Sequence, residues 1–445
     1  MRFSDLDGCS IGVWGAGVET RSFARVLRSS LTRARIAVVV LEDAPDAPEL
    51  TADARVVSAS EAFEALRTCD VLVRSPGVSR HRSELRAIAA QGTPIVTPTG
   101  LWLAERGGRN TIGITATKGK STTASLVAHL VAATGRGVQL AGNIGRPALE
   151  LLDYPDTELA VLELSSYQIA DLTCGPQVAM AGNVYREHLD WHLTDDAYRQ
   201  DKLRLLALPG VERCVVNALS PEVMAAERAP GPVYVYGTAP GWRVDDDGSV
   251  MKDGAPSLAR DVLPLRGRHN ALNLCGALTA LEALDIPLPP LPAAFAGLQP
   301  LEHRLQTVHE GDGVEWVDDS ISTTPESTLA AMAAFPDARL IVIGGGFDRG
   351  QDYAELGLVA ARSRALVVTL PVTGSRLAQA VRAAGGEAYE VADLPAAVAA
   401  ARALATPGTV VLLSPAAPSF NTHVDYRARG DHFRELAATT GGPNP

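Results

Sequence analysis

The chain has 445 residues, 46% of them hydrophobic, enough apolar material for about three packed domains and too much for a disordered chain. Its 40 basic and 51 acidic residues leave a net charge of −11, which argues against a nucleic-acid partner held along its phosphate backbone. The five cysteines are scattered without CxxC spacing, so a disulfide scaffold and a zinc site are not expected and a reducing cytoplasm fits.

Asp5 and Asp7 precede the first apolar run, which does not suit a signal peptide, and no apolar stretch approaches ~18 residues, so no membrane span is expected. Ser10 to Trp14 reads as a strand, Gly15-Ala16-Gly17 as a turn, 19–27 as a helix and 35–41 as a strand ending at Glu42-Asp43. The GxG turn alone is compatible with a tight βα turn that holds no ligand. Residues 70–73 form another apolar run, closed by Ser75-Pro76-Gly77. The polar, Gly-rich stretch 105–110 reads as a linker. Strands follow at 111–115, 159–164, 178–184 and 214–216, with helices at 125–133 and 269–283. After a Pro-rich break at 286–292, a third block begins near Leu301, with strands at 314–317, 340–343, 365–369 and 409–413. Strands alternating with helices predict an α/β chain with parallel sheets, and no internal repeat is present.

Three runs carry chemistry. Ile114-Thr115-Ala116-Thr117-Lys118-Gly119-Lys120-Ser121-Thr122-Thr123 joins a strand to a helix start, where backbone N–H groups cradle phosphates. Lys120 adds a point charge and Ser121 a hydroxyl within reach of Mg2+. The generic P-loop glycine is Ile114 here, with Gly113 one place early. Leu162-Glu163-Leu164-Ser165-Ser166-Tyr167-Gln168 sets a carboxylate at the C-terminal end of a strand, beside that loop. Asn183-Val184-Tyr185-Arg186-Glu187-His188-Leu189-Asp190-Trp191-His192 gathers two histidines and two carboxylates. With no cysteine partner and a phosphate loop nearby, Mg2+ or Mn2+ suits this cluster better than zinc.

In this order the three runs resemble the Mur ligase family over essentially the whole chain. Thr115 to Thr122 follows the family's ATP loop, with Ala116 for the middle glycine. Glu163 to Gln168 follows ELSSxQ, and Asn183 to Asp190 follows its N-[IV]-x-x-D-H-L-D run, with Glu187 for Asp. Gly267-Arg268-His269-Asn270-Ala271-Leu272-Asn273, Glu302-His303-Arg304 and Asp318-Asp319-Ser320 resemble three further nucleotide segments. Within the family the chain is similar to the glutamate-adding branch. That likeness rests on Gly142-Asn143-Ile144-Gly145, Ser75-Pro76-Gly77-Val78 and Ser414-Pro415-Ala416, followed by Ser419, Tyr426 and Arg429-Gly430.

The resemblance implies an α/β fold of three domains. These are an N-terminal Rossmann-like domain binding the UDP substrate (1–107), a central P-loop ATPase domain (108–300) and a C-terminal Rossmann-like domain for the amino acid (301–445). It implies ATP contacts from Thr115, Thr117, Lys118, Gly119, Lys120, Ser121, Thr122, Asn270, Asn273, Arg304 and Asp319. Gly15, Gly17, Ser75, Pro76, Gly77, Asn143, Ser165 and Gln168 fall to the UDP substrate, and Thr323, Arg349, Ser419 and Tyr426 to the amino acid. The family carries a carbamylated lysine in a Y-x-x-x-K helix, which Tyr198-Arg199-Gln200-Asp201-Lys202 matches. Lys120, Glu163, His188 and Lys202 are therefore the expected catalytic residues, with two Mg2+ sites drawing on Ser121, Glu163, His188 and Lys202. The implied reaction is ATP-dependent joining of glutamate to UDP-N-acetylmuramoyl-L-alanine through an acyl phosphate, by a cytoplasmic monomer whose domains close on their substrates.

The departures from the family pattern fall in the third block: Ile321, Arg349 in place of a lysine, and Asn421-Thr422 in place of Asp-Gln. A guanidinium fork and an ammonium are not equivalent at a carboxylate. Around Ile321 and Arg349 the chain looks like the variant that adds L-glutamate, with the D-glutamate enzyme as the alternative. A folylpolyglutamate synthase lacks the hundred-odd residues seen here before the ATP loop. A non-catalytic regulator would have no need of Lys120, Glu163, His188 and Lys202 together.

Overall fold

The computed structural model describes residues 1–439, apart from 43–46, 186, 188, 260–261, 264, 296–297 and 299–300, and excluding the side chains of Leu189 and Asp190. Two compact units result: Met1–Val262 with Ala271–Ala296, and Leu263–Asn270 with Gly297–Pro445.

The first unit holds two parallel sheets. One has the order β3-β2-β1-β4-β5, from β1 (Ser10–Trp14), β2 (Arg35–Val40), β3 (Arg55–Val57), β4 (Val71–Arg74) and β5 (Ile95–Val96). Helix α1 (Val18–Ser30) follows β1, as the glycine turn predicts. The second sheet has β6 (Thr111–Thr115), β7 (Val138–Gly142), β8 (Leu159–Glu163), β9 (Val178–Ala181), β10 (Arg213–Asn217) and β11 (Val233–Tyr236), ordered β11-β10-β9-β6-β8-β7. Its central strands β6, β8 and β9 are buried at every residue, so their continuous apolar runs are the mark of a sheet covered on both faces. The chain leaves β6 for α2 (Lys120–Ala132), while α3 (Asp195–Leu203) precedes β10. A small antiparallel sheet, β12 (Arg243–Val244), β13 (Val250–Lys252) and β14 (Ala255–Leu258), follows. One apolar cluster runs through both parallel sheets, from Ile11 and Val13 to Leu162 and Val216.

Residues 105–110 are only partly a linker. Helix Pro98–Arg106 takes in the first two, because Thr97 caps it, Pro98 starts it and Gly107 ends it with a left-handed backbone. Helix α4 (Arg268–Ala283) is the expected helix at 269–283.

The second unit is one sheet in the order β15-β16-β20-β17-β18-β19. Its strands are β15 (Gln306–Gly311), β16 (Val314–Asp318), β17 (Arg339–Gly345), β18 (Leu366–Leu370), β19 (Glu387–Glu390) and β20 (Thr409–Leu413), with only the β15–β16 pair antiparallel. Two apolar clusters within this unit cover it, and α5 (Tyr426–Ala438) packs through Phe433. The stretch Leu263–Asn270 groups with this unit. Among the described residues no helix is long and apolar enough to cross a membrane.

Candidate active site

The phosphate loop leaves β6 at the C-terminal end of the second sheet. Gly119 caps α2 with a φ of +85°, and a Cβ there would lie 2.4 Å from the Asn273 Oδ1 atom. Only glycine allows both the left-handed turn and that approach. Helix α2 therefore begins at Lys120 rather than near Ser125, with Lys120 and Ser121 in its first turn. Thr117 N donates to Asn183 O at 2.7 Å, Lys118 N to Asn183 Oδ1 at 3.0 Å, and Lys118 Nζ to Glu187 Oε1 at 2.8 Å. Lys120 Nζ reaches back to Thr117 O at 3.4 Å. A small pocket opens here, lined by Thr115, Lys118, Lys120, Asn183 and Asn273 among others. The buried Thr122 Oγ1 has no hydrogen-bond partner among the described residues.

Glu163 ends β8 and is fully buried. Its Oε1 accepts from Asn143 Nδ2 at 2.8 Å, while its Oε2 is without a partner among the described residues. Lys202, on α3, is only 2% exposed. Its Nζ donates to Ala116 O at 3.1 Å and to Thr115 Oγ1 at 3.4 Å, and lies 5.1 Å from the Tyr198 ring centroid. Burial first, and the Lys120 charge second, push the Lys202 ammonium down to about 7, against the pull of Glu187 and Glu163. Near neutral pH much of this amine is therefore uncharged. Expected residue His188 lies outside the described residues. Among those described, no three His, Cys, Asp or Glu side chains gather as a metal site. An orphaned carboxylate oxygen beside a phosphate loop nonetheless suits Mg2+, which takes one or two carboxylates and completes its shell with phosphate and water.

The expected UDP-substrate residues lie in the same unit. Gly15 and Gly17 pack on Ser75, and a Cβ at Gly17 would stand 2.6 Å from the Ser75 hydroxyl. Ser165 and Gln168 form a capping box, and Gln168 Nε2 also donates to buried Glu19 on α1, whose other oxygen accepts from Thr99 Oγ1 at 2.9 Å. Arg74 is a residue that the sequence reading missed. It is wholly buried at the end of β4, and its guanidinium donates to Asp171 and to the carbonyls of Ser75, Pro76 and Val78. It thus holds the Ser75-Pro76-Gly77-Val78 turn in shape. An arginine closing the apolar run Val71-Leu72-Val73 was the available signal.

In the second unit, Asp319 follows β16, accepts from Ser414 Oγ at 2.7 Å, and is 1% exposed. Burial raises its acid to about 6, although the Arg304 charge opposes this. Asn270 Nδ2 donates to Arg266 O at 2.7 Å. Thr323 is half-buried, Ser419 buried and Tyr426 half-buried at the start of α5. Arg349 is exposed, with its guanidinium 5.5 Å from the Phe420 ring centroid, and Phe420 meets Phe347 edge-on at 6.1 Å. The structure thus gathers Thr115 to Thr122, Asn273, Glu163, Asn143 and Lys202 at one end of the second sheet. Asn270, Arg304, Asp319, Thr323, Arg349, Ser419 and Tyr426 belong to the second unit.

A glycine-capped phosphate loop on a parallel sheet, next to a buried carboxylate and a buried lysine, marks a nucleotide-using α/β protein. The model of the Mur ligase middle domain matches residues 114–281, and that of the Mur ligase glutamate ligase domain matches 303–417. A relative from Xanthomonas campestris pv. campestris, named UDP-N-acetylmuramoyl-L-alanine--L-glutamate ligase, is 38% identical over 98% of this chain and 97% of its own. One of the same name from Micromonospora sp. is 40% identical over 99% of both. MurF from Acinetobacter baumannii shares the fold at a TM-score of 0.61 and 16% identity, covering 98% of this chain and 92% of its own. MurC from Thermotoga maritima does so at 0.60 and 16%, covering 96% and 98%. The chain belongs to the Mur ligase family.

Proposed function

We propose that this chain joins L-glutamate to the carboxyl group of UDP-N-acetylmuramoyl-L-alanine, using ATP, as a step of peptidoglycan precursor synthesis. The observation that carries the chemistry is Lys202, an amine buried at the root of the phosphate loop and bonded to the Ala116 carbonyl. The choice of amino acid rests on relatives of that name that align over nearly the whole chain.

The loop amides, Thr117, Lys118, Lys120, Ser121 and Thr122 hold the ATP phosphates, and Asn273 stands against Gly119 on the same side. On the second unit, Asn270, Arg304 and Asp319 are assigned to the nucleotide, and Thr323, Arg349, Ser419 and Tyr426 to glutamate. Gly15, Gly17, Ser75, Pro76, Gly77, Asn143, Ser165 and Gln168 take the acceptor. The neutral Lys202 amine adds to CO2 and loses a proton, which leaves an anionic oxygen ligand where an ammonium would otherwise stand. Glu163 Oε2, Ser121, His188 and that carbamate are the residues that would hold Mg2+ (or Mn2+), in two sites with the phosphates. Mg2+ there supplies positive charge that offsets repulsion between carboxylate and phosphate. The acceptor carboxylate attacks the γ-phosphorus and ADP leaves. The glutamate amine then attacks the acyl carbon and phosphate leaves, with positioning and charge neutralisation as the main catalytic terms. The three-part division at 107/108 and 300/301, a monomeric state and a cytoplasmic location complete the reading.

L-Glutamate is the expected substrate because the departures Ile321, Arg349 and Asn421 all lie in the amino-acid unit. Arg349 is braced on Phe420, and Asn421 Nδ2 is tied to Pro371 O at 2.8 Å. With the amine held in line, inverting Cα misplaces one carboxylate, which predicts a kcat/KM preference of about a hundredfold or more. Phosphate release with UDP-N-acetylmuramoyl-L-alanine, ATP and each enantiomer measures it. A preference for D-glutamate refutes the choice of hand, and no release with either refutes the ligase.

A further inference from the structure

We propose that Trp191 and His192 form a positioning pair that ties the acceptor loop, Ser75 to Ser79, to the helix carrying Lys202. The inference rests on the function proposed above and adds two residues to it.

The two side chains are adjacent on the short helix Leu189–His192, and both are buried. Trp191 faces the acceptor loop. Its indole Nε1 donates to Pro76 O at 3.1 Å, and Ser79 Oγ donates to Trp191 O at 3.0 Å. The indole stacks on Tyr167 with centroids 4.8 Å apart and planes 25° apart, and the Arg74 guanidinium lies 5.5 Å from its ring. Arg74 and Trp191 thus grip the same turn, one through three carbonyls and the other through one.

His192 faces the lysine. One ring nitrogen, Nδ1, is 2.8 Å from Asp201 Oδ2, and the other, Nε2, is 2.9 Å from Ser166 Oγ. A carboxylate only accepts, so Nδ1 carries the proton and Nε2 takes the Ser166 hydroxyl hydrogen in the neutral ring. Asp201 immediately precedes Lys202 on α3, and Ser166 opens the short helix that follows Glu163. The imidazole therefore links the helix that carries Lys202 to the segment that directly follows Glu163. Its ring also meets Tyr198 edge-on at 5.3 Å, and the Tyr198 hydroxyl is 2.7 Å from Thr117 Oγ1 in the phosphate loop. A side chain needed only to fill space could be any ring of this size. Two opposed polar bonds fix the orientation of the ring as well as its volume. Because the pair shares one short helix, a displacement of Trp191 by the loaded acceptor loop is passed directly to His192.

The test compares His192→Phe, His192→Gln, Trp191→Phe and the double variant His192→Phe/Trp191→Phe with the wild type. The readouts are kcat, KM for the acceptor, and the 13C NMR signal of the Lys202 carbamate in enzyme equilibrated with 13C-bicarbonate, with Lys202→Ala as the blank. His192→Phe is expected to lower kcat about tenfold or more and to weaken the carbamate signal, with acceptor KM held within about twofold. Trp191→Phe is expected to raise acceptor KM, His192→Gln to regain part of kcat, and the double variant to depart from additivity. Unchanged kcat and carbamate signal in His192→Phe overturn the inference. If that variant fails to fold, Asp201→Asn and Ser166→Ala remove the same bonds from outside the ring, and wild-type carbamate signals in both overturn it equally. A wild-type enzyme identical to the Lys202→Ala blank overturns the lysine reading itself, and this inference with it.

Discussion

Gly142→Ala is the substitution whose cost the geometry fixes best. Gly142 closes β7 with a φ of +101°, paired in register with Glu163. A side chain in left-handed backbone costs roughly 1–2 kcal/mol. The added Cβ would lie 2.2 Å from Glu163 O, and 3.2 Å from both Glu163 C and N, so it meets backbone that no rotamer change can move aside. Overpacking of that kind adds about 1–3 kcal/mol. The sum, ~2–5 kcal/mol, is a large part of the ~5–15 kcal/mol that holds a typical domain folded. The strain also enters at the carboxylate that the mechanism needs, because Asn143 holds Glu163 through N to O at 2.9 Å and Nδ2 to Oε1 at 2.8 Å. Thermal melting should show a Tm lowered by roughly 5–20 °C. Phosphate release by the folded fraction should fall about a hundredfold, as expected of a misplacement near 1 Å. Gly77→Ala is the control for stability, since nothing lies within 4 Å of its added Cβ. A Gly142→Ala enzyme with wild-type Tm and kcat would refute the argument.

Other outcomes follow from the same site. Lys120→Ala should abolish ADP formation in a folded protein, and turnover within about tenfold of wild type counts against the phosphate-clamp role. Lys202→Ala should be nearly inactive and partly rescued by a small added carboxylate, so full activity without rescue defeats the carbamate reading. Asp319 gives a pH signature of known sign. Its folded pKa, about 6, is above the ordinary 3.8, so the folded state binds more protons between those values and stability falls as pH rises through that window. Denaturant melts of Asp319→Asn should lose this fall, and an unchanged slope would show that the carboxyl is not buried as described.

Local signals carried the strands and the phosphate loop, because an apolar run followed by Gly-Lys-Ser needs no distant partner to be read. Thr111–Thr115 and Thr409–Leu413 fall at the expected positions for that reason. The start of α2 was missed by five residues, since Gly119 opens the helix through a contact with Asn273, far along the chain. Strand Val138–Gly142 was also missed. It is an edge strand with mostly half-buried residues and lacks the apolar signature of its neighbours. Arg74 and Trp191 read as unremarkable residues because their meaning lies in partners such as Asp171 and Pro76, about a hundred positions away, and His192, read as part of a metal-suited cluster, is instead held by Asp201 and Ser166. The buried state of Lys202 was implied by family likeness alone. Its α3 neighbours are polar, and only packing shows which face is inside.

The placement of the cores bears on inheritance. The apolar clusters of the second unit draw on that unit alone, on both faces of its sheet, whereas one cluster threads the two parallel sheets of the first. The apolar core of the second unit is thus self-contained, whereas the first unit cannot be divided between its sheets without opening an interior. On the function proposed, a lineage that remodelled only the residues beyond the Pro-rich break would change the amino-acid contacts, and the nucleotide contacts Arg304 and Asp319 with them, while leaving the phosphate loop, Glu163 and Lys202 in place. The three departures at Ile321, Arg349 and Asn421 all lie beyond that break.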